Sequence, residues 1–585
     1  MFVLTFATTS ATDGGSSWAE PASAQCQVPG LGNAPGAQRS SSSTSLLKLV
    51  PARVNQELDA LIRLKNARTT PQKSFSNGDN QHCGRSAAPA STGAAFDDKI
   101  KEWLSPWRGT VGLLSAMERS FWGGLRPWCR VFACVVNGEL HVRALEAKTR
   151  DGKLCAPESI HIQRAAAALI GLANTLRRFP IPDVCVMLSC QDRPIQIARP
   201  YGSKLNPSST PPLAFAYMSS ADHFDVPWPD YLFAGMPSKH IGPWDVASAQ
   251  IQKYSDSIPF MQRRPLQLYA QAPQKQLALD TLAQSRLDRS VKPPAHYGYH
   301  PLRLDFTNQC VRNCSRAAQH LFLEVQASQI LSGKLGLKPN EITGAHLGAK
   351  CAYQSILVMN GRSAWLDHFP HDLSCGSAVV QVIDRSRPLD DGHHDSEPVY
   401  AFYSHLLSPG QHYLRIDADH AMETEPLCEA LADVQHLLRR NPALAECIGS
   451  SGQEVMRWLT ADRVYEYQAK MLARISEMQA ESVHRAVLAD TRRAALVAQM
   501  GSSSSPLSVR NLTLIPADLV RRSEFMRIDH KLDACIASGD PTKGASEQPV
   551  ECAMRVIKAA QDQHRLSCVR STPVLRTHEH GATGG

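Results

Sequence analysis

Asp192 is a candidate for a residue that accepts a proton. It follows the run PDVCVMLSC (182–190), which is short, almost continuously apolar and typical of a strand buried on both faces. Sheets of α/β proteins bind ligands at the carboxyl ends of their strands, and a carboxylate there can take the proton of an attacking hydroxyl. Asp also favours turns, so Asp192 could instead cap the turn before Arg193-Pro194. The residues alone leave both interpretations open.

A second group of residues has the small side chains that a nucleotide site needs. It consists of Gly361, Arg362, Ser363, Ala364, Gly376 and Ser377. The first four follow the apolar run YQSILVMN (353–360), and small residues after a strand let a diphosphate approach the backbone closely. The last two open a further strand and could contact a donor sugar. An ordinary strand-to-helix turn and maintenance of the fold explain the same residues.

Aromatic and proline residues are concentrated between positions 201 and 245. The candidates for stacking on a base or sugar and for lining an acceptor cleft are Phe215, Trp228, Pro229, Asp230 and Tyr231. A packed core between two lobes is the alternative for these side chains. We expect the stretch to be an ordered loop that crosses from one lobe to the other.

Histidine and cysteine patterns do not indicate a metal site. His393-His394 and the pair His578 and His580 lie in polar segments, and neither belongs to a helical HExxH motif. The 16 cysteines include no CxxC pair, so we expect small buried side chains with a few disulfides or free thiols. Two glycosylation sequons permit a secretory protein. No metal cofactor is therefore expected, and the compartment stays open.

The elements that would position these residues alternate between helix and buried strand. Helices are predicted for FDDKIKEWL and for IHIQRAAAALIGLANTLRRF, and a hairpin for CRVFACVVNGELHVRAL around Asn137-Gly138. Further strands are predicted at 266–271, 353–360, 377–383 and 412–416. Buried strands with intervening helices indicate parallel sheets and an α/β fold.

Five segments are predicted along the chain. They are a low-complexity, largely disordered extension at 1–95, an N-terminal α/β lobe at 96–240, a C-terminal α/β lobe at 241–460, a long closing helix at 461–500 and a peripheral tail at 501–585. The closing helix is predicted from apolar residues at helical spacing, namely Val464, Tyr467, Met471, Ile475 and Met478.

Composition excludes several classes of protein. Of the 585 residues, 43% are hydrophobic and 20% are charged, which excludes a fully disordered chain. No apolar run approaches the ~18 residues that a membrane-spanning helix needs. The net charge of +8 is spread along the chain without a block of like charges, so we expect no nucleic-acid partner.

Six segments in colinear order between Trp128 and Gln479 resemble one family. They are FACVVNGELHVRA, PDVCVMLSCQDRP, FDVPWPDYLFAG, CAYQSILVMNGRSAWLDHFPHDLSCGSAVVQVID, VYAFYSHLLSPGQHYLRID and NPALAECIGSSGQEVMRWLTADRVYEYQAKMLARISEMQ. No single motif is unique, but six in order are hard to produce by chance. The chain resembles the Rumi-like protein O-glucosyltransferases and the capsule-associated xylosyltransferases, which form glycosyltransferase family 90.

This resemblance implies a GT-B-like fold, in which two Rossmann-like lobes enclose a cleft. It implies transfer of glucose or xylose from UDP-glucose or UDP-xylose to a Ser or Thr hydroxyl, with inversion and without a bound metal. Asp192 falls on the family's catalytic base in the acceptor-side N-terminal lobe, and the C-terminal lobe holds the nucleotide. We therefore expect a UDP-sugar and a protein or glycan acceptor as partners, a monomer, and the lumen of the endoplasmic reticulum or Golgi as its location.

The chain departs from the family at two basic positions. A family strand ends in Phe or Trp, Arg and Gly, and its Arg contacts the diphosphate, whereas this chain has Ala270 and Gln271 there. At the second position it has His368. Arg263, Arg264 and Arg362 are possible substitutes, with a solvated surface charge as the alternative for each.

Two other functions therefore stay open. The chain could be a degenerate family member that binds nucleotide or glycan without efficient turnover, as Ala270 and His368 suggest. It could also be an unrelated α/β hydrolase or an interaction protein, but the sequence has no GxSxG nucleophile elbow. The start MFVLTFATTSA does not resemble a full signal peptide, and GATGG at the end is not a retrieval signal, so the luminal location depends on the resemblance.

Overall fold

Two β-sheets with helices packed against them form the fold in a computed structural model of the chain. The structure describes residues 94–122, 130–143, 160–190, 213–220, 223–235, 241–270, 323–326, 348–359, 368–384, 400–418, 424–500, 515–522, 525–538 and 549–559. All of them belong to one unit, Leu49–Gly585. The predicted N-terminal extension lies outside these ranges except for its last two residues.

The strands and helices are numbered in chain order. The strands are β1 Arg130–Val136, β2 Glu139–Arg143, β3 Val184–Ser189, β4 Phe215–Ala216, β5 Val226–Pro227, β6 Arg264–Ala270, β7 Leu323–Gln326, β8 Tyr353–Met359, β9 Ala378–Asp384, β10 Leu414–Ala418 and β11 Phe525–Arg527. The helices are α1 Ala94–Trp103, α2 Leu113–Trp122, α3 Ile160–Arg178, α4 Tyr231–Ala234, α5 Trp244–Ser257, α6 Phe369–Ser374, α7 Thr424–Arg440, α8 Pro442–Trp458, α9 Ala461–Met500, α10 Pro516–Arg522, α11 Asp529–Ser538 and α12 at 549–559.

The first sheet has the strand order β11–β2–β1–β3–β4–β5. The hairpin β1–β2 turns at Asn137 and Gly138, whose φ angles are 52° and 77°. Positive φ at both central residues is what a two-residue hairpin turn needs, and the predicted hairpin is confirmed. Such a turn makes β1 and β2 antiparallel, and β1 is antiparallel to β3 as well. The first sheet is therefore mixed, whereas the sequence had predicted parallel sheets.

One edge of the first sheet collects three strand ends. The strand β3 is buried along its whole length, as predicted from its apolar run, and it pairs in parallel with β4, which pairs in parallel with β5. The carboxyl ends of these three strands therefore lie at the same edge, the edge where α/β sheets bind ligands.

The second sheet is parallel throughout, with the order β10–β9–β8–β6–β7. The four strands predicted for this part of the chain are confirmed, and β8 is the central one. Its own hydrophobic core forms where α7 and α8 cover it, with Leu427, Leu431 and Ile448 packed near Val380 and Val382. The α/β class is thus confirmed.

The helix α9 follows the prediction over all 40 of its residues. Its five predicted apolar positions, from Val464 to Met478, are buried. Two polar side chains on the same helix bond to the first sheet. Gln479 donates to the Cys185 carbonyl at 2.7 Å and accepts from its N–H at 3.1 Å, and the Tyr467 hydroxyl donates to the Pro227 carbonyl at 2.6 Å. This helix therefore fixes β3 and β5 relative to each other.

Residues beyond position 500 complete the first sheet. The short strand β11 pairs antiparallel with β2, and the Ile528 N–H donates to the Leu140 carbonyl at 3.0 Å. Leu519, Leu532 and Ile557, from α10, α11 and α12, are buried in the core of this sheet. The expectation of a peripheral tail therefore does not describe these residues, because they cover the edge that β2 would otherwise expose.

Disulfides bind all nine cysteines of the described ranges. The pairs are Cys134–Cys185, Cys351–Cys375 and Cys535–Cys552, and Cys190, Cys428 and Cys447 are disulfide-bonded as well. The first pair faces directly across β1 and β3, and the second joins the start of β8 to the end of α6. The sequence left the disulfide state of the cysteines open. Bridging of every cysteine in the described ranges is typical of proteins from oxidising compartments.

Among the described residues, no helix has the length and apolar character of a membrane span.

Aromatic side chains fill the space where α1, α9 and residues 400–407 meet. The Phe96 ring lies 5.2 Å from Tyr467 and 5.7 Å from His405, and Trp103 lies 5.9 Å from His405. The imidazole of His405 is thus enclosed by rings, and this burial lowers its pKa to about 4.

This half-buried histidine leads to a prediction about acid stability. The unfolded chain binds a proton at His405 near its usual pKa of about 6.5, so stability from the neutral imidazole is complete above that pH and is lost as the pH falls toward 4. Between pH 7.5 and 5 the wild type should lose about 2 kcal/mol more unfolding free energy than His405→Phe. Urea unfolding at both pH values measures this, with the exposed His530→Gln as control. Equal losses in all three proteins would contradict it.

Candidate functional site

The carboxyl edge of β3, β4 and β5 is the first half of the candidate site. Cys190, the last described residue after β3, is fully buried at this edge. Asp192 lies outside the described residues, two positions further along the chain. Because β4 and β5 run parallel to β3, residues 217–220 and 228–231 follow their strands at the same edge.

Buried polar groups cluster at this edge. The hydroxyl of Ser220, which follows β4, and His223 Nδ1 are 2.7 Å apart, and both side chains are buried. Asp225 is buried as well, but it precedes β5 and lies at the amino end of that strand. Ser219 pairs through its backbone with Tyr400, with N···O distances of 3.0 and 2.8 Å. Burying this many polar groups is costly unless they are hydrogen-bonded, and such clusters are enriched at functional sites. The contact with Tyr400 also brings a segment that follows β9 of the second sheet to this edge.

The four predicted acceptor-cleft residues, Trp228 to Tyr231, are all buried. Trp228 packs edge-on against Phe215 at 5.4 Å, and Tyr231 packs edge-on against Tyr217 at 5.6 Å. The Asp230 carboxylate accepts a 2.7 Å hydrogen bond from the Leu232 N–H and caps α4. The structure therefore brings these residues together where β5 ends, with their aromatic rings packed in the core, as the alternative interpretation of them had it.

Arg164 is a residue of this edge that the sequence analysis missed. Its side chain is 4% exposed, and its guanidinium lies 5.1 Å from the Tyr231 ring. The Tyr217 hydroxyl donates to the Arg164 carbonyl at 2.8 Å, and burial raises the pKa of this tyrosine, an effect that the nearby cation opposes. The sequence does contain a signal for it, a single arginine in the apolar run RAAAALIGL, and this part of the helix is buried on all sides.

The second half of the candidate site follows the central strand of the second sheet. The strand β8 ends at Met359, and Gly361, Arg362, Ser363 and Ala364 lie outside the described residues. His368 immediately precedes α6. Its ring lies 6.1 Å from that of His371, which is buried and lies 5.4 Å from Trp244. His368 is therefore positioned by a packed aromatic environment.

Arg263 is neither a surface charge nor a phosphate ligand, and both sequence interpretations of it are wrong. Its guanidinium is 6% exposed and donates to the carbonyls of Cys375 at 2.7 Å, Ser255 at 3.1 Å and Ile258 at 3.2 Å. These acceptors satisfy the cation inside the protein. Arg264 is exposed and lies against the Tyr353 ring, with Nη1 3.3 Å from its hydroxyl.

Gly376 and Ser377 belong to the same internal network. The Ser377 hydroxyl is fully buried, donates to the Tyr353 carbonyl at 2.7 Å and accepts from Arg263 at 3.3 Å. Gly376 has φ of +64°, and a Cβ on Gly449 of α8 would come within 2.4 Å of the Gly376 carbonyl oxygen. Only glycines allow the backbones to approach this closely. Gly376 thus lets α8 pack closely against the start of β9, whereas Ser377 ties the start of β9 to Tyr353 at the start of β8.

A buried ion pair fixes α6 to the residues that precede β8. Lys350 Nζ lies 2.6 Å from Asp372 Oδ1, and both side chains are less than 10% exposed. Ser374 of the same helix donates to the Pro370 carbonyl, and its own carbonyl accepts from Gln453 at 2.8 Å. The helix that follows the predicted nucleotide loop in the sequence is therefore held by buried contacts.

Ala270 is the last residue of β6. Within the sheet, β6 lies between β8 and β7, and Ala270 is in register with Gln326 of β7. The carboxyl end of β6 is thus adjacent to that of β8, and the chain has no cation at Ala270. The described ranges contain no group of three His, Cys, Asp or Glu side chains that could hold a metal, and the four histidines considered earlier lie outside them.

The sequence matches the model of one protein family. This model, described as glycosyl transferase family 90, matches residues 94–500, from the start of α1 to the end of α9. The match includes every strand of both sheets except β11. No curated protein matches the chain.

Proposed function

Because this chain belongs to glycosyl transferase family 90, we propose that it transfers glucose or xylose from a UDP-sugar to a Ser or Thr hydroxyl or to a glycan acceptor. One observation carries the site: β3, β4 and β5 end together at an edge where polar groups are buried, and Asp192 follows β3 there in the sequence. A carboxylate at such an edge suits a general base.

In the proposed reaction, the Asp192 carboxylate takes the proton of the acceptor hydroxyl while its oxygen attacks the anomeric carbon of the donor sugar. The bond from this carbon to the UDP oxygen breaks on the opposite face, so the configuration inverts and UDP leaves with the bonding electron pair. Negative charge then grows on the diphosphate, and nearby amides and cations stabilise it without a bound metal. The candidates are the loop Gly361–Ala364 and His368. Ser377 is left out because its hydroxyl is used internally.

The two sheets are proposed as the two lobes of a GT-B-like fold. The first sheet would receive the acceptor, and the parallel second sheet would hold the nucleotide at the loop after its central strand. The backbone pairing of Ser219 with Tyr400 supports this assignment, since it brings a segment of the second lobe to the acceptor edge. The aromatic side chains of Trp228 and Tyr231 would shape this edge from behind, as parts of the core.

The lumen of the endoplasmic reticulum or Golgi is the proposed location. The bridged cysteines of the described ranges support it, because glutathione and thioredoxin keep most thiols of cytosolic proteins reduced. The protein is proposed to act there as a monomer.

Donor binding and turnover test this function separately. UDP should raise the melting temperature of the protein, and UDP-glucose or UDP-xylose should release UDP faster when an epidermal-growth-factor-like domain is added. Magnesium chelation should leave the rate unchanged. Absence of any thermal shift with UDP would remove the proposal.

A second candidate function is nucleotide or glycan binding without efficient turnover. The absence of a cation at Ala270 favours it, and so does Arg263, whose guanidinium is bonded inside the protein and does not replace the missing charge. Loss of a charge-assisted contact of this kind lowers kcat by a factor of about 10²–10³.

Restoring the charge distinguishes the two candidates. If the second is right, Ala270→Arg should raise the rate of UDP release at least about tenfold, because its cation would lie at the carboxyl end of β6 beside the loop after β8. The control is Gln326→Arg, in register with Ala270 on the far side of β6, where the cation lies one strand farther from the loop. A wild-type enzyme that turns over well and gains nothing from Ala270→Arg would contradict the second candidate.

A further inference from the structure

A groove on the surface of the described residues is not used by the proposed reaction. It has a volume of about 700 Å³ and lies between α9, α1 and the turn at Arg108 and Gly109. The buried side chains of Ile100 and Met478 form part of its floor. Its walls are charged, so the groove combines an apolar base with polar sides.

The charges on the two walls are not balanced. The lining includes five cations and three carboxylates. On α9, each cation has a carboxylate partner in the groove: Lys470 with Asp97 at 3.1 Å, Arg474 with Glu477, and Arg485 with Glu481 at 4.0 Å.

The opposite wall provides the surplus. Within the described ranges, the one ion-pair partner of Lys101 is Asp98, at 3.4 Å, and that carboxylate lies outside the groove with 83% of its side chain exposed. Arg108 is exposed and has no ion-pair partner among the residues that the structure describes. Lys101 and Arg108 therefore face the groove without an ion-pair partner among the carboxylates that line it.

We propose that this groove docks an acidic segment with apolar side chains in the polypeptide acceptor. The two surplus cations suit carboxylates, and the floor suits a leucine or a similar side chain. A continuous polyanion such as nucleic acid or a sulfated glycan fits less well, because Glu477, Glu481 and Asp97 would face its regular charges. The identity of the partner as acceptor rests on the proposed transferase function, whereas the docking itself does not.

The groove and the proposed base lie toward opposite ends of β3. One wall of the groove is α9, whose Gln479 bonds to both backbone groups of Cys185, the second residue of β3, and whose Ser476 donates to the Asp183 carbonyl just before this strand. Asp192 follows the other end of β3 in the sequence. An acceptor held in the groove would thus have to extend along β3 to reach the base, and the docked segment would raise its effective concentration there.

Binding of an acidic peptide tests the docking. The probe is a fluorescein-labelled peptide of glutamates around a central leucine pair, and its anisotropy is followed with the full chain. Lys101→Glu/Arg108→Glu should weaken binding about tenfold, because two attractions become repulsions. The control Lys531→Glu/Lys558→Glu makes the same charge change at exposed positions outside the groove and should bind as wild type does. Equal affinity for all three proteins, or tighter binding of heparin than of the peptide at the same site, would overturn the proposal.

The kinetic readout separates this inference from the proposed function. With an acceptor domain that carries the acidic segment, the groove variant should raise KM about tenfold and leave kcat and UDP release to water unchanged. If the peptide binds in the groove but wild type transfers no sugar, the transferase proposal fails and the docking stands. If transfer proceeds with the same KM in both proteins, the docking of the acceptor is wrong.

Discussion

Replacing Asp192 with asparagine is expected to lower kcat for sugar transfer by about 10²–10⁴. The amide keeps the size of the side chain but cannot take the proton of the acceptor hydroxyl. UDP binds through the second sheet in this account, so the thermal shift that UDP produces should stay at its wild-type value. Initial rates of UDP release with saturating donor and acceptor measure the effect.

Asp183→Asn is the matched control, because it makes the same change next to the opposite end of the same strand. Asp183 precedes β3 and accepts a 2.7 Å hydrogen bond from the Asn137 N–H at the turn of the hairpin. The amide oxygen of asparagine can still accept this hydrogen bond but without the charge, so Asp183→Asn should lower stability by less than about 1 kcal/mol and leave kcat near the wild-type value. Equal UDP release by wild type and Asp192→Asn would show that another group is the base.

Replacing Lys350 with methionine should lower the unfolding free energy by about 3–5 kcal/mol. The change leaves the Asp372 carboxylate buried without the ammonium group that lies 2.6 Å from it. Because α6 begins a few residues after the proposed nucleotide loop, the variant should also bind UDP more weakly. Urea unfolding and UDP titration measure the two effects.

Two variants show whether burial of this pair is the cause. Lys350→Met/Asp372→Leu removes both charges and should recover most of the lost stability, since the desolvated charge is gone. Arg457→Met breaks the exposed pair with Asp256, at 3.3 Å, and should cost less than about 1 kcal/mol. If Lys350→Met costs no more than Arg457→Met, the pair does not anchor α6.

Much of the architecture could be predicted because it depends on local patterns. The 3.6-residue period of α9 identified its buried face, and the Asn137-Gly138 turn identified the hairpin. The central strands of the second sheet are buried on both faces and read as continuous apolar runs. Each of these signals is complete within a few neighbouring residues.

The parts that were missed depend on contacts between distant segments. The strands β4 and β5 have two residues each and are too short to show any period. The pairing of Cys134 with Cys185 cannot be deduced from cysteine spacing. Residues 525–527 became an edge strand because β2 offered an open edge, a fact that their own sequence does not contain.

The two buried arginines illustrate the same limit at the candidate site. Arginine is almost never fully buried unless it is paired, so the sequence favoured a surface position for Arg263. Its acceptors are carbonyls near positions 255, 258 and 375, which the folded chain brings together. Arg164 was overlooked because its aromatic neighbour, Tyr231, lies far along the chain.

The mass of an acceptor after reaction tests the central proposal most directly. An epidermal-growth-factor-like domain incubated with UDP-glucose or UDP-xylose and the wild-type protein should gain the mass of one hexosyl or pentosyl residue. Asp183→Asn should give the same product, and Asp192→Asn should give almost none. If UDP raises the melting temperature but no acceptor gains mass with either donor, the protein binds nucleotide without transferring sugar, and the proposed transferase function is wrong.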